Sequence, residues 1–148
     1  MRWLTAFALI FVLTGCASSY KDRAAKTVGA MVGIVNHTDR YIASASVNGA
    51  GGANMTEYGA GGASVCCAVI PAVWYPGMKV EVRWNMPIGR TPVVKVKEVE
   101  VEKYDEPGSI YIHVFDNDQI RVVVTNHPGY SRLHPIPAPV APAGWKKN

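Results

Sequence analysis

Four histidines, eleven carboxylates and three cysteines carry the reactive side chains of this 148-residue sequence, and their spacing limits what they can do. His37, His113, His127 and His134 never fall three to five residues apart, the spacing that lets one element offer two imidazoles to zinc. They are read as surface or half-buried packing, with His113 sharing strand parity with Tyr111 and Phe115. Glu98, Glu100 and Glu102 lie two apart, as do Asp116 and Asp118, which reads as solvated strand edges and turns. Asp116-Asn117-Asp118 lacks the glycine and distal glutamate of a calcium loop. Ser64, Ser109 and Ser131 lack the Gly-x-Ser-x-Gly elbow of a nucleophile. The two glycine clusters, Gly49 to Gly52 and Gly59 to Gly62, are followed by no Lys-Ser or Lys-Thr pair and match no phosphate loop. No catalytic residue, metal or cofactor is assigned, and the chain is read as a non-enzyme.

Cys66-Cys67 is the one reactive pair. In an oxidising compartment two free neighbouring thiols do not persist, which favours a bond between them. Adjacent Cα atoms lie about 3.8 Å apart, below the usual disulfide range of roughly 4.4 to 6.8 Å, and neighbouring strand residues face opposite ways. A vicinal disulfide is therefore expected to interrupt its strand; two buried reduced cysteines are the alternative.

Cys16 has a different setting. Arg2 is followed by an apolar stretch over residues 3–13 and then by Leu13-Thr14-Gly15-Cys16, the anatomy of a secretory signal. The stretch is shorter than the roughly 20 apolar residues a membrane span needs. Leu-Thr-Gly-Cys resembles the lipobox of bacterial lipoproteins, whose cysteine thiol receives diacylglycerol before the signal is cut, so Cys16 is the expected lipidation site. Two or more acyl chains anchor a protein stably where one does not. Ala17, where inner-membrane retention favours Asp, points to the outer membrane and a periplasm-facing protein. Loss of Arg2 lowers the formal net charge from +4 to +3, and lysines alternate with acids, so no basic stripe suggests nucleic acid.

The remaining chain divides into a signal peptide (1–15), a tether (16–30), a β domain (31–127) and a Pro-rich tail (128–148). About seven short, mostly antiparallel strands are predicted, near residues 32–36, 41–47, 64–70, 78–84, 94–101, 110–115 and 119–125, forming an all-β sandwich or partly open barrel. In the sixth, the apolar positions Val94 and Val96 change parity at Val99 and Val101, which predicts a bulge near Lys97-Glu98 that keeps all four on the core side. Pro128, Pro135, Pro137, Pro139 and Pro142 rule out sheet or helix in the tail; a free terminus is expected, with docking into an aromatic groove of a partner, anchored by Trp145, Lys146 and Lys147, as the alternative. Asn54, Met55, Glu57 and Tyr58, between the glycine clusters, are expected in an exposed loop, and with Trp74 and Tyr75 they are the predicted partner-binding residues.

Asn36-His37-Thr38-Asp39-Arg40-Tyr41-Ile42, Val47-Asn48-Gly49-Ala50-Gly51-Gly52, Gly62-Ala63-Ser64-Val65-Cys66-Cys67, Pro71-Ala72-Val73-Trp74-Tyr75-Pro76-Gly77 and Tyr104-Asp105-Glu106-Pro107-Gly108 are blocks that together resemble a family of small proteobacterial lipoproteins, catalogued as the domain of unknown function DUF3304. Some members of that family are immunity proteins against phospholipase effectors of the type VI secretion system. The resemblance implies a tethered binder whose partners are a lipase-type effector and, through Cys16, the membrane. A structural or assembly lipoprotein of the envelope or secretion apparatus is the alternative.

Overall fold

The computed structural model describes residues 26–147, so the signal peptide, Cys16 and most of the tether lie outside the described residues. Eight strands form: β1 (Thr27–Asn36), β2 (Ile42–Val47), β3 (Ala50–Met55), β4 (Val65–Pro71), β5 (Lys79–Asn85), β6 (Val94–Glu100), β7 (Ser109–Val114) and β8 (Ile120–Thr125). They make two four-stranded sheets, ordered β4-β1-β7-β8 and β3-β2-β5-β6, packed face to face as a sandwich. Alternation drives this: Val80, Val82 and Trp84 of β5 are buried while Lys79, Glu81 and Arg83 are exposed, and Ile110, Ile112 and Val114 of β7 meet them from the opposite sheet. All pairings are antiparallel except β1 with β7, where Val32 to Asn36 run alongside Ile110 to Val114. Among the described residues no helix is long and apolar enough to cross a membrane.

Four expectations are corrected. β1 starts at Thr27, ahead of the domain boundary placed at residue 31. The stretch Ala50–Met55 is a strand, not part of a loop: Asn48 and Gly49, with φ of 48° and 81°, make the left-handed turn that hairpins it onto β2. β6 pairs with β5 in unbroken register, without a bulge. Val99 and Val101 point into the core and Val94 and Val96 point out, while Lys95 and Lys97 take the inward parity at the open margin of the sandwich, where both reach Asp118. The irregularity lies instead in β4. Ala30 pairs with Ala68 and Val32 with Val65, so the bonded Cys66 and Cys67 together face one residue, Met31. That two-against-one bulge accommodates the vicinal disulfide within a continuous strand.

The tail is not free either. Beyond Thr125 it forms no strand or helix, yet His134 and Ile136 are buried while Leu133, Pro135 and Pro137 face solvent. Ile136 seals a second apolar cluster with Val35, Tyr111 and Val123 on the outer face of the β4-β1-β7-β8 sheet, remote from the main core.

Candidate functional site

The chain leaves β1 through Asn36-His37-Thr38-Asp39-Arg40, an arch between the sheets that is held by one buried amide. The Asn36 side chain is fully buried; its Nδ2 donates to the carbonyls of Arg40 (2.7 Å) and Thr56 (2.9 Å). Its Oδ1 accepts from the Thr38 amide (3.0 Å) and hydroxyl (2.8 Å). An amide has two donor hydrogens and one two-lone-pair acceptor, so Asn36 is saturated, as burial demands. Arg40 Nη2 then donates to Met86 O (2.7 Å), tying the arch to the β5–β6 connection, and the Tyr58 amide donates to Thr38 O (3.0 Å), drawing in the β3–β4 connection.

This knot fixes His37, whose ring stacks on Phe115 at 4.1 Å. His37 Nε2 lies 3.0 Å from His113 Nδ1, His113 Nε2 lies 2.8 Å from His134 Nε2, and His134 Nδ1 lies 2.8 Å from the carbonyl of His127. Three imidazoles thus form a linear chain from the half-buried arch, through a fully buried strand residue, to the tail. The terminal carbonyl sets every tautomer: it can only accept, so His134 carries its proton on Nδ1, His113 donates through Nε2 and His37 donates through Nε2. Burial, then the neighbouring His134 and His37 and the Arg121 guanidinium, lower the His113 pKa to about 3. Burial is also the leading cause that lowers His37 and His134. All three rings are neutral at pH 7.

No three His, Cys, Asp or Glu side chains among the described residues converge on a metal position. The histidines meet in a line, each nitrogen answering another, rather than around a point. The expectation that His113 packs at or near the surface is corrected: its outward face is covered by the tail. The contact was invisible to spacing because His37 and His113 are 76 residues apart and His113 and His134 are 21 apart.

The predicted partner residues fall into two groups. Asn54 is exposed on β3, but Met55 is packed against the main core and against Gly59 and Gly61, so it is not an exposed contact. Glu57 and Tyr58 are half-buried beside the histidine arch; Glu57 Oε2 is buried without a donor among the described residues, and the Tyr58 ring meets the edge of Trp145 at 5.2 Å. Trp74 and Tyr75 lie at the other end of the molecule. Pro71 pairs with Thr27 at the start of β1, whereas Ala60 bridges Val35 near its end, about 26 Å away at the strand repeat. There the Trp74 indole donates to Val101 O (2.9 Å) and the Tyr104 hydroxyl to Pro71 O (2.6 Å), while Tyr75 stays exposed. The six residues do not form one patch.

Fold and site together define a two-sheet β-sandwich with an internal histidine chain closed by its own C-terminal segment. A family model described as "Protein of unknown function (DUF3304)" matches residues 35–122, and the chain belongs to that family. The match takes in His37 and His113 and ends before His134 and Trp145. Comparison with curated proteins and with solved structures gives no match.

Proposed function

We propose that this chain is a lipid-anchored, periplasm-facing protein of the outer membrane that binds and neutralises a phospholipase effector delivered by type VI secretion. The observation that carries the reading is family membership, joined to the Leu13-Thr14-Gly15-Cys16 signal of lipoproteins. The geometry supports it in one respect. β1 runs from its N-terminal end, where the tether joins, to the Asn36 arch about 30 Å on, so a chain held by Cys16 carries the arch and the Glu57-Tyr58 loop clear of the bilayer. A binder of this kind buries about 1,200 to 2,000 Å² against its target and places aromatic anchors at the centre.

The test is a purified equimolar mixture of the chain with a type VI phospholipase effector from its own genome, assayed on phospholipid vesicles. Loss of lipase activity, with sibling sensitivity on gene deletion, supports the proposal. Unchanged lipase activity overturns it, and a deletion that instead blocks secretion or leaks periplasmic contents favours the assembly role.

A further inference from the structure

Residues 127–147 return over the outer face of the β4-β1-β7-β8 sheet as a strap, and few contacts hold it. Gly129 donates to Gly61 O (2.9 Å), Ile136 fills the space over Val35, Tyr111 and Val123, the Trp145 ring meets Tyr58, and the His134 ring, edge-on to Tyr111 at 4.8 Å, completes the histidine chain. Tyr130, Leu133 and Val140 remain exposed.

Protons can be counted along that chain. With no added proton, every junction has one donor and one acceptor. A first proton enters at His37 Nδ1, the free nitrogen of the half-buried ring, and can pass to His113 and on to His134 by shifting each N–H in turn; every junction still has one donor and one acceptor. A second proton cannot be placed: whichever two rings are charged, two N–H groups meet at either the 3.0 Å or the 2.8 Å junction. Glu57 is the half-buried carboxylate beside the arch, and among the described residues neither it nor any other acid hydrogen-bonds to the rings. Arg121 of β8 faces His113 and is paired with Glu102 (2.6 Å), His127 and Tyr130 belong to the strap, Tyr111 shares β7, Tyr58 lies on the β3–β4 connection, and Asp39 and Asp116 are exposed.

We propose that the C-terminal segment is an acid-released strap: the His37-His113-His134 chain holds it down with up to one added proton, and a second lifts it, uncovering Val35, Tyr111 and Val123. The junction that parts is His113–His134, because His37 and His113 are fixed by the arch and by β7 while His134 rides on a segment without secondary structure. This inference concerns the strap alone and stands apart from the identity of any partner.

The experiment follows histidine ring resonances and the Tyr58–Trp145 proton contact in the full chain by NMR, from neutral pH to about pH 4.5. In the wild type the contact is expected at neutral pH and lost on acidification below 6.5, the ordinary histidine value, with strap opening favoured about tenfold per pH unit for each proton the open chain takes up beyond those the docked chain holds, and with the sheet amide resonances still those of a folded domain. His134→Gln, whose amide accepts from His113 but cannot charge, is expected to stay docked through the same range. A wild-type strap that stays docked to about pH 4.5, one lost only together with the sheet resonances, or a His134→Gln strap that opens at the wild-type pH overturns the proposal.

Discussion

His113 Nε2 and His134 Nε2 lie 2.8 Å apart, joining a fully buried strand residue to a proline-rich segment that follows the family domain. A histidine buried on the outer face of a sheet is tolerable only because a second histidine answers it. The arrangement makes stability depend on pH in a defined direction.

The folded state depresses all three rings, His113 to about 3, whereas the unfolded chain titrates them near 6.5. Below 6.5 the unfolded state therefore binds more protons, so the stability these rings contribute is complete above that value and is lost as pH falls. His113 alone accounts for about 1.4 kcal/mol per pH unit between 6.5 and its folded value. Urea unfolding at a series of pH values checks this; a midpoint that is flat or rises from neutral pH to about pH 5 contradicts it.

Asn36→Ala removes the acceptor for the Thr38 amide and the donors for the carbonyls of Arg40 and Thr56 at once. A loss of about 2 to 4 kcal/mol is expected in chemical denaturation. Asn36→Asp does not rescue it, because a carboxylate keeps the acceptor but faces Arg40 O and Thr56 O with lone pairs. An Asn36→Ala protein as stable as wild type would mean that the arch is not held by this amide.

The register of β6 is open to a paired test. Val99→Ala, at an inward position, should cost about 1 to 2 kcal/mol, and Val96→Ala, at a position 51% exposed, less than about 0.5 kcal/mol. Equal costs would restore the bulge that the parity change suggested.

The bond between Cys66 and Cys67 closes a ring between neighbours, so it excludes few conformations of the unfolded chain. The double substitution of both residues by serine is expected to shift stability by less than about 1 kcal/mol. Alkylation of the unreduced, denatured chain should label neither residue, and labelling of both before reduction would show that the thiols are free.

Much of the fold was legible because it follows from alternation. The parity of residues 78–84 and the hairpin from 110 to 125 needed only the two-residue period and turn residues such as Asp116-Asn117-Asp118. β3 escaped because Ala50-Gly51-Gly52-Ala53 has no large side chain to alternate, and its pairing is set by the Asn48-Gly49 turn. The parity change in β6 was visible but had two solutions, and the continuous pairing of β6 with β5 takes the one without a bulge. The docked tail was masked by its prolines: alternate residues His134 and Ile136 point inward, but the intervening prolines read only as an absence of hydrogen bonding. Of the site, the Asn36-to-Arg40 block stood out as a motif, whereas its meeting with His113 and His134 is a tertiary contact that no local pattern encodes.

The parallel seam between β1 and β7 sets the order of assembly. β1, the first strand among the described residues, lies between β4 and β7 in its sheet, and its second neighbour begins only at Ser109, after the four strands of the other sheet have been made. Nascent chains shorter than that must carry Ile34, the future partner of Ile112, on an unpaired edge of β1, and closure waits on a long loop, the topology of a slow folder. Refolding from denaturant is therefore expected to be slow for a domain of this size, because the β1–β7 pair closes only once both sheets' remaining strands are in place.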